Sequence, residues 1–231
     1  MTNKSKKISE TKILLQLLKN VPFDGWTWDA LYNSAVDLKM FKSDLTEKDK
    51  SSLRDIYDNK MVNAIKKFND YLDDEMKKKF KKTNLVNQKI PVKIKNLIMF
   101  RLNSSYEYKD AIRSSIGIMS FPRNSKFALK MLYKTCDDIW RTSNDKSTDF
   151  SFYTKRLVLS GVYTSTLFYW LNENNIVKVE NFLDRRLNDI HRFGKIKSLS
   201  SGFPNLLNKT DDIIRLLRNL KNNRFSYKSP E

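Results

Sequence analysis

Three observations predict an all-α fold. Five Gly and five Pro in 231 residues are too few for the dense turns of a β sandwich. No segment keeps a convincing period of two, whereas several keep apolar residues at a spacing of three to four. The third is an uncharged run of fifteen residues, Leu157 to Leu171. As a helix it would be about 22 Å long, short of the roughly 30 Å hydrocarbon core of a bilayer, so it predicts a central core helix rather than a span. Ser160, Gly161, Thr164, Ser165 and Thr166 interleave its apolar residues and leave no charged face, so all its sides are expected to meet protein or an internal cavity.

Taken in order, residues Ile8 to Lys19 predict a short amphipathic helix that VPFDGW breaks through Pro22 and Gly25. Thr27 is an expected N-cap for a second helix through Leu31 and Val36. Together they give a helix-turn-helix-sized module over residues 1–50, although Asp44, Glu47 and Asp49 stand where a recognition helix would meet phosphate. Ile56, Met61, Val62, Ile65, Phe68, Leu72, Met76 and Phe80 mark one long amphipathic helix, whose basic end at Lys77 to Lys82 complements the helix dipole. Further helices are expected from Pro91 to Asn103, Tyr106 to Met119 and Lys126 to Trp140. Thr148 or Asp149 should cap the central helix, and a helix from Val177 to Phe193 closes a bundle over residues 51–195. Beyond Gly202 and Pro204, the stripe Phe203, Leu206, Leu207, Ile213, Ile214 and Leu217 faces away from Lys209, Arg215, Arg218 and Lys221. Residues 203–222 thus have the pattern of a basic amphipathic helix, to lie in a membrane interface or to dock on the body or a second subunit.

Composition excludes much chemistry. Cys136 is the single cysteine, so no intramolecular disulfide can form, and His191 is the single histidine. Zinc fingers and His-rich metal sites lack ligands, and any catalytic triad or Cys/His pair would depend on one residue. Asp137 and Asp138 are adjacent, so on a helix they point about 100° apart and form no facing acid/base pair. No catalytic residue, metal or cofactor is expected. The net charge of +18 rests on 32 Lys against 12 Arg, and lysine meets phosphate only as a point charge. Charge alone leaves three readings open: a solvated surface, an anionic membrane or nucleic acid. The opening MTNKSKKISETKILLQLL has no apolar signal core and only a short basic stretch, which favours a cytoplasmic location.

Several segments together resemble a known family. VPFDGW with Ala30-Leu31 is similar to its opening. Asp137-Asp138-Ile139-Trp140, then Asp145-x-Ser147-Thr148-Asp149-Phe150, then Tyr153-Thr154-Lys155-Arg156 resemble its central signature in order and spacing. Phe182-Leu183-Asp184-Arg185-Arg186 is similar to its next helix. The family is the ubiquinone-biosynthesis accessory lipid-binding proteins, ninth of the coenzyme Q series, and the resemblance spans about residues 10 to 195. Ser143-Asn144 stand where the family has Ala-Gly, and Phe152 takes the place of a tryptophan.

The resemblance implies a TetR-like helical bundle and a non-enzymatic role. Such a protein holds an isoprenoid lipid or quinone precursor and presents it to a di-iron demethoxyubiquinone hydroxylase. By motif position, Trp140, Asp149, Phe152, Tyr153 and Arg156 would form the patch that meets this partner. Phe100, Leu132, Leu159, Tyr163 and Phe168 are the expected lipid-binding residues, and Phe203, Leu206, Leu207, Ile213, Ile214 and Leu217 the expected membrane contact. The protein would sit peripherally at the inner face of a membrane, and homodimerisation is common among such folds. The alternative is a TetR-like DNA-binding regulator with an apolar pocket, against which the acidic residues after Met40 argue.

Overall fold

In a computed structural model, the structure describes residues 3–41, 45–81, 88–145 and 150–197. Among the described residues there are nine α-helices, one 3-10 turn and no strand. They are α1 (Asn3–Asp24), α2 (Trp28–Asp37), α3 (Glu47–Asp55), α4 (Met61–Lys81), α5 (Ile90–Ser104), α6 (Lys109–Met119), α7 (Pro122–Thr142), α8 (Phe150–Asn172) and α9 (Ile176–Lys197). Two compact units account for them. Among the described residues, the first draws on those up to 81 and on 97–131, the second on 88–96 and on those from 132 to 197, so the division falls inside α5 and α7.

In the first unit, α1 packs on α2, α4 and α6. Ile13, Leu14, Leu17, Leu18 and Val21 supply its buried stripe. Contrary to the expected break, α1 runs through Pro22 and ends only at Gly25. A proline in the last turn forfeits one N–H hydrogen bond but leaves little helix downstream to disrupt. Gly25, at a left-handed φ of 68°, donates its N–H to the Val21 carbonyl at 2.9 Å and terminates the helix. Trp26 follows, buried, with its indole N–H on the Ala111 carbonyl of α6 at 3.2 Å. Thr27 caps α2 as expected, accepting the Ala30 N–H at 3.1 Å.

The long helix expected from Ile56 starts five residues later, at Met61. Asp58 and Asn59 take left-handed φ values of 49° and 55°, so the chain turns between α3 and α4. Thr46 and Asp49 form a capping box that starts α3 within the charged segment. Ile65, Phe68, Leu72 and Met76 of α4 are buried as their spacing requires. Asp73 is buried on the same helix because Arg101 of α5 meets it, Nε to Oδ1, at 2.9 Å. Arg101 also donates to the Asn69 side chain at 2.5 Å.

In the second unit α8 packs on α9. Tyr169 and Phe182 stack with centroids 4.4 Å apart, and Trp170, Leu171, Val179 and Leu183 are buried. Lys95 ties the start of α5 to α9 through Glu180 at 2.9 Å and Asp184 at 2.7 Å. One expectation for α8 fails. Leu157, Val158, Gly161 and Phe168 are exposed, so one side of the uncharged stretch of α8 is not covered by the described residues. Small and apolar residues on every face are compatible with burial but do not enforce it. Pro122, expected only to end α6, also begins α7, four residues before the anticipated start, because proline fits the first turn where no N–H is needed.

The Asp73–Arg101 pair gives a stability prediction. Asp73→Ala should lower unfolding free energy by about 3–5 kcal/mol, since it leaves a buried guanidinium without its carboxylate. Replacing both residues, Asp73→Leu with Arg101→Met, should cost much less. Urea denaturation of the two variants tests the difference.

Candidate functional site

The central signature folds into one junction, where α7 ends and α8 begins. The last turns of α7 bury Thr135, Cys136, Asp137, Asp138 and Ile139. The helix then stops at a left-handed residue, Asn144, with φ 70°. The Asn144 N–H reaches the Arg141 carbonyl at 3.0 Å, and the Asp145 N–H reaches the Trp140 carbonyl at 3.0 Å. These two bonds make a Schellman motif. Asn is the residue after Gly that best tolerates this conformation, so Asn144 forms the turn without a glycine.

Arg156, on the second turn of α8, is the centre of the junction. It is only 1% exposed. Its Nε donates to Asp137 Oδ1 at 3.1 Å, and its Nη1 donates to Asp145 Oδ2 and to the Phe152 carbonyl, each at 3.1 Å. Phe152 lies across the guanidinium, with the ring centroid 3.5 Å from its carbon. Both carboxylates are shared. Asp137 also accepts Arg141 Nε at 2.8 Å, and Asp145 accepts Lys155 Nζ at 2.8 Å. Lys155 sits 5.4 Å from the Trp140 ring centroid, and its carbonyl accepts the Trp140 indole N–H at 3.1 Å. Two carboxylates and three cations thus hold the end of α7, the turn and the start of α8 together.

The structure brings Trp140, Phe152, Tyr153 and Arg156 into this one cluster. Trp140, Phe152 and Tyr153 are half-buried, and Tyr153 meets Phe152 edge to face at 5.1 Å. Arg156 is too buried to offer its guanidinium to a partner, so its part is to support the aromatic side chains above it. Asp149 lies outside the described residues. Sequence reasoning missed Asp137, Asp145 and Lys155 as members of the cluster. Asp145 stands eleven residues before Arg156 across a turn, a separation that no helical period encodes.

The expected lipid-binding residues are dispersed. Leu159 and Tyr163 are buried on α8 and Leu132 is half-buried on α7, all in the second unit. Phe168, on the same helix, is 49% exposed. Phe100 belongs to the first unit, where it packs edge to face on Phe80 with centroids 5.7 Å apart. A groove of about 560 Å³ lies along α1 and α4 of the first unit, lined by Glu10, Leu14, Lys67, Asp70, Tyr71 and Glu75 among others. Its wall carries ion pairs, Lys67 to Glu10 at 3.6 Å and Lys78 to Glu75 at 2.8 Å, a poor lining for an isoprenoid. The six expected membrane-contact residues, Phe203 to Leu217, lie outside the described residues. Among the described residues no three His, Cys, Asp or Glu side chains are grouped to hold a metal, and no helix is long and apolar enough to cross a membrane.

The junction yields two predictions. Arg156→Ala should destabilise the protein by about 3–5 kcal/mol, whereas Arg141→Ala, whose side chain is half exposed, should cost under about 1 kcal/mol. Asn144→Gly should be near neutral and Asn144→Val should cost about 1–2 kcal/mol, because a β-branched residue resists the left-handed conformation. Equilibrium unfolding in urea separates these outcomes.

Residues 125–194, which contain the whole junction, match the family model described as COQ9. Similar proteins include the mitochondrial ubiquinone biosynthesis protein COQ9 of Xenopus tropicalis, 27% identical over 83% of this chain and 61% of that protein. The protein of the same name from Rattus norvegicus is 27% identical over 79% of this chain and 59% of its own length. That from Homo sapiens is 25% identical over 79% and 58%. The chain spans about three fifths of the length of these curated relatives. With the central signature folded into one cluster and the matches running well beyond it, these similarities support assigning the chain to the COQ9 family.

Proposed function

We propose that this chain is a non-enzymatic accessory protein of ubiquinone biosynthesis. It binds an isoprenoid lipid or quinone precursor at an anionic membrane surface and presents it to the di-iron demethoxyubiquinone hydroxylase. One observation carries the reading: a single helix, α8, joins the aromatic and charged junction at Phe152 to Arg156 to the fifteen uncharged residues from Leu157 to Leu171. A partner surface and an apolar wall are therefore continuous along one rod. The family match, which covers all of α8, supports assigning both to the ubiquinone pathway.

In this reading Leu132, Leu159 and Tyr163 line the lipid site, with Phe100 and Phe168 as further candidates. Trp140, Phe152 and Tyr153 form the aromatic part of the docking surface, with Asp149 as a further candidate. Aromatic side chains buried in part and held rigid are effective interface anchors. The segment from Phe203 to Leu217 makes the membrane contact, so the protein is peripheral, at the inner face of the membrane. A homodimer belongs to the same reading, with the exposed row Leu157, Gly161 and Phe168 of α8 available to a second copy.

Mass spectrometry of an organic extract of the purified protein tests the lipid claim. Near-stoichiometric isoprenoid or quinone-like lipid is expected, above that carried by an unrelated control protein. An extract without such lipid, together with no binding of added quinone precursor, would remove the carrier reading and make duplex DNA the next ligand to try.

A further inference from the structure

The turn from α6 to α7 combines an exposed apolar apex with a flank of pure positive charge. Between residues 114 and 136 the chain has no acid and four cations, Arg123, Lys126, Lys130 and Lys134. Phe121 stands at the apex, 55% exposed, between exposed Ser120 and Pro122, and Ile118 and Met119 behind it are half-buried. Arg123, Lys126 and Lys130 follow at intervals of three and four, which places them in one row along α7. All three are exposed, and Leu129, 40% exposed, lies beside them.

The backbone of the turn is hydrogen-bonded within itself. Ser120 N–H donates to the Ile116 carbonyl at 2.9 Å, and Asn124 N–H donates to the Phe121 carbonyl at 2.8 Å. The Asn124 side-chain amide donates to the Ile118 carbonyl at 2.8 Å, and the Ser120 hydroxyl donates to the Ile116 carbonyl at 2.8 Å. Entry into a medium poor in water therefore leaves few polar groups stranded. The Arg123 guanidinium lies 5.6 Å from the Phe121 ring centroid, so charge and apex sit side by side.

We propose that the α6–α7 turn contacts the surface of an anionic phospholipid bilayer, with Phe121 in the interfacial layer and Arg123, Lys126 and Lys130 on the lipid phosphates. The inference rests on the membrane-surface reading above but on different residues from the C-terminal segment. An exposed Phe at a tip is unfavourable in water and favourable at a bilayer interface, where cations around it find phosphate. A nucleic acid would use the cations and leave Phe121 in water.

The test uses the full chain labelled with nitrobenzoxadiazole at Phe121→Cys or, separately, at Ile213→Cys; Cys136 is buried and should stay unlabelled. Vesicles of phosphatidylcholine alone are compared with vesicles that also contain phosphatidylglycerol. A blue shift at position 121 on the anionic vesicles is expected, quenched by lipids spin-labelled near the top of the acyl chain. The triple variant Arg123→Glu, Lys126→Glu, Lys130→Glu should partition about a hundredfold more weakly. A shift at 213 without one at 121 would overturn the proposal while leaving the membrane reading in place. Absence of any vesicle binding would overturn both. Undiminished vesicle binding by the triple variant, with loss of duplex DNA retention, would assign the row of cations to nucleic acid and overturn the proposal as well.

Discussion

A buried guanidinium between two carboxylates sets the constraint on which the candidate site depends. Arg156 is taken out of water, and its charge is tolerable only because Asp137 and Asp145 come to meet it. Asp137 belongs to the last turns of α7, whereas Asp145 lies beyond the turn and Arg156 on α8. Pairing all three fixes where α7 stops, how the chain reverses and which face of α8 looks back at α7. The Schellman turn at Asn144 is the backbone half of the same constraint. It delivers the Asp145 carboxylate to Lys155 and Arg156 together. Phe152 then has one place to lie, on the guanidinium, and Trp140 is held by its bond to the Lys155 carbonyl.

Rigidity of this kind has a functional sense. A docking surface made of aromatic side chains loses less on binding when their rotamers are already fixed. The same helix continues into residues that carry no charge for four turns, so a lipid bound there would lie close, along the chain, to whatever docks at the junction. Each CH₂ withdrawn from water contributes roughly 0.8 kcal/mol, but a bilayer already gives an isoprenoid that benefit. A carrier therefore has to work against the membrane surface. The basic character of the chain and its apolar apex at Phe121 fit that requirement better than a protein diffusing free of it.

The helical class was legible from periodicity, and the buried positions of α4, with the Thr27 cap, followed from spacing and side-chain chemistry. Helix ends were less legible. Pro22 reads as a breaker, yet in a final turn it disturbs almost nothing, and the stop at Gly25 is set by a left-handed backbone. Ile56 fits the apolar stripe of α4 in spacing, but the turn at Asp58 and Asn59 excludes it. The exposed side of α8 could not be read at all, since its uncharged stretch from Leu157 to Leu171 gives no charged face to mark solvent. Within the site, the aromatic residues were recognisable by their resemblance to a family signature. The acids that support Arg156 were visible as residues but not as its partners, because their pairing is tertiary and crosses a turn.

Calorimetric titration of the purified di-iron hydroxylase with the wild-type chain and with Tyr153→Ala decides whether the junction docks this enzyme. Tyr153 is half-buried rather than part of the buried core, and circular dichroism confirms that the variant is folded before binding is compared. Binding by the wild-type chain is expected, with a loss of at least about tenfold in the variant, as for an aromatic hot spot. Undiminished binding by a folded Tyr153→Ala protein, or no binding by the wild-type chain, would contradict docking at the junction.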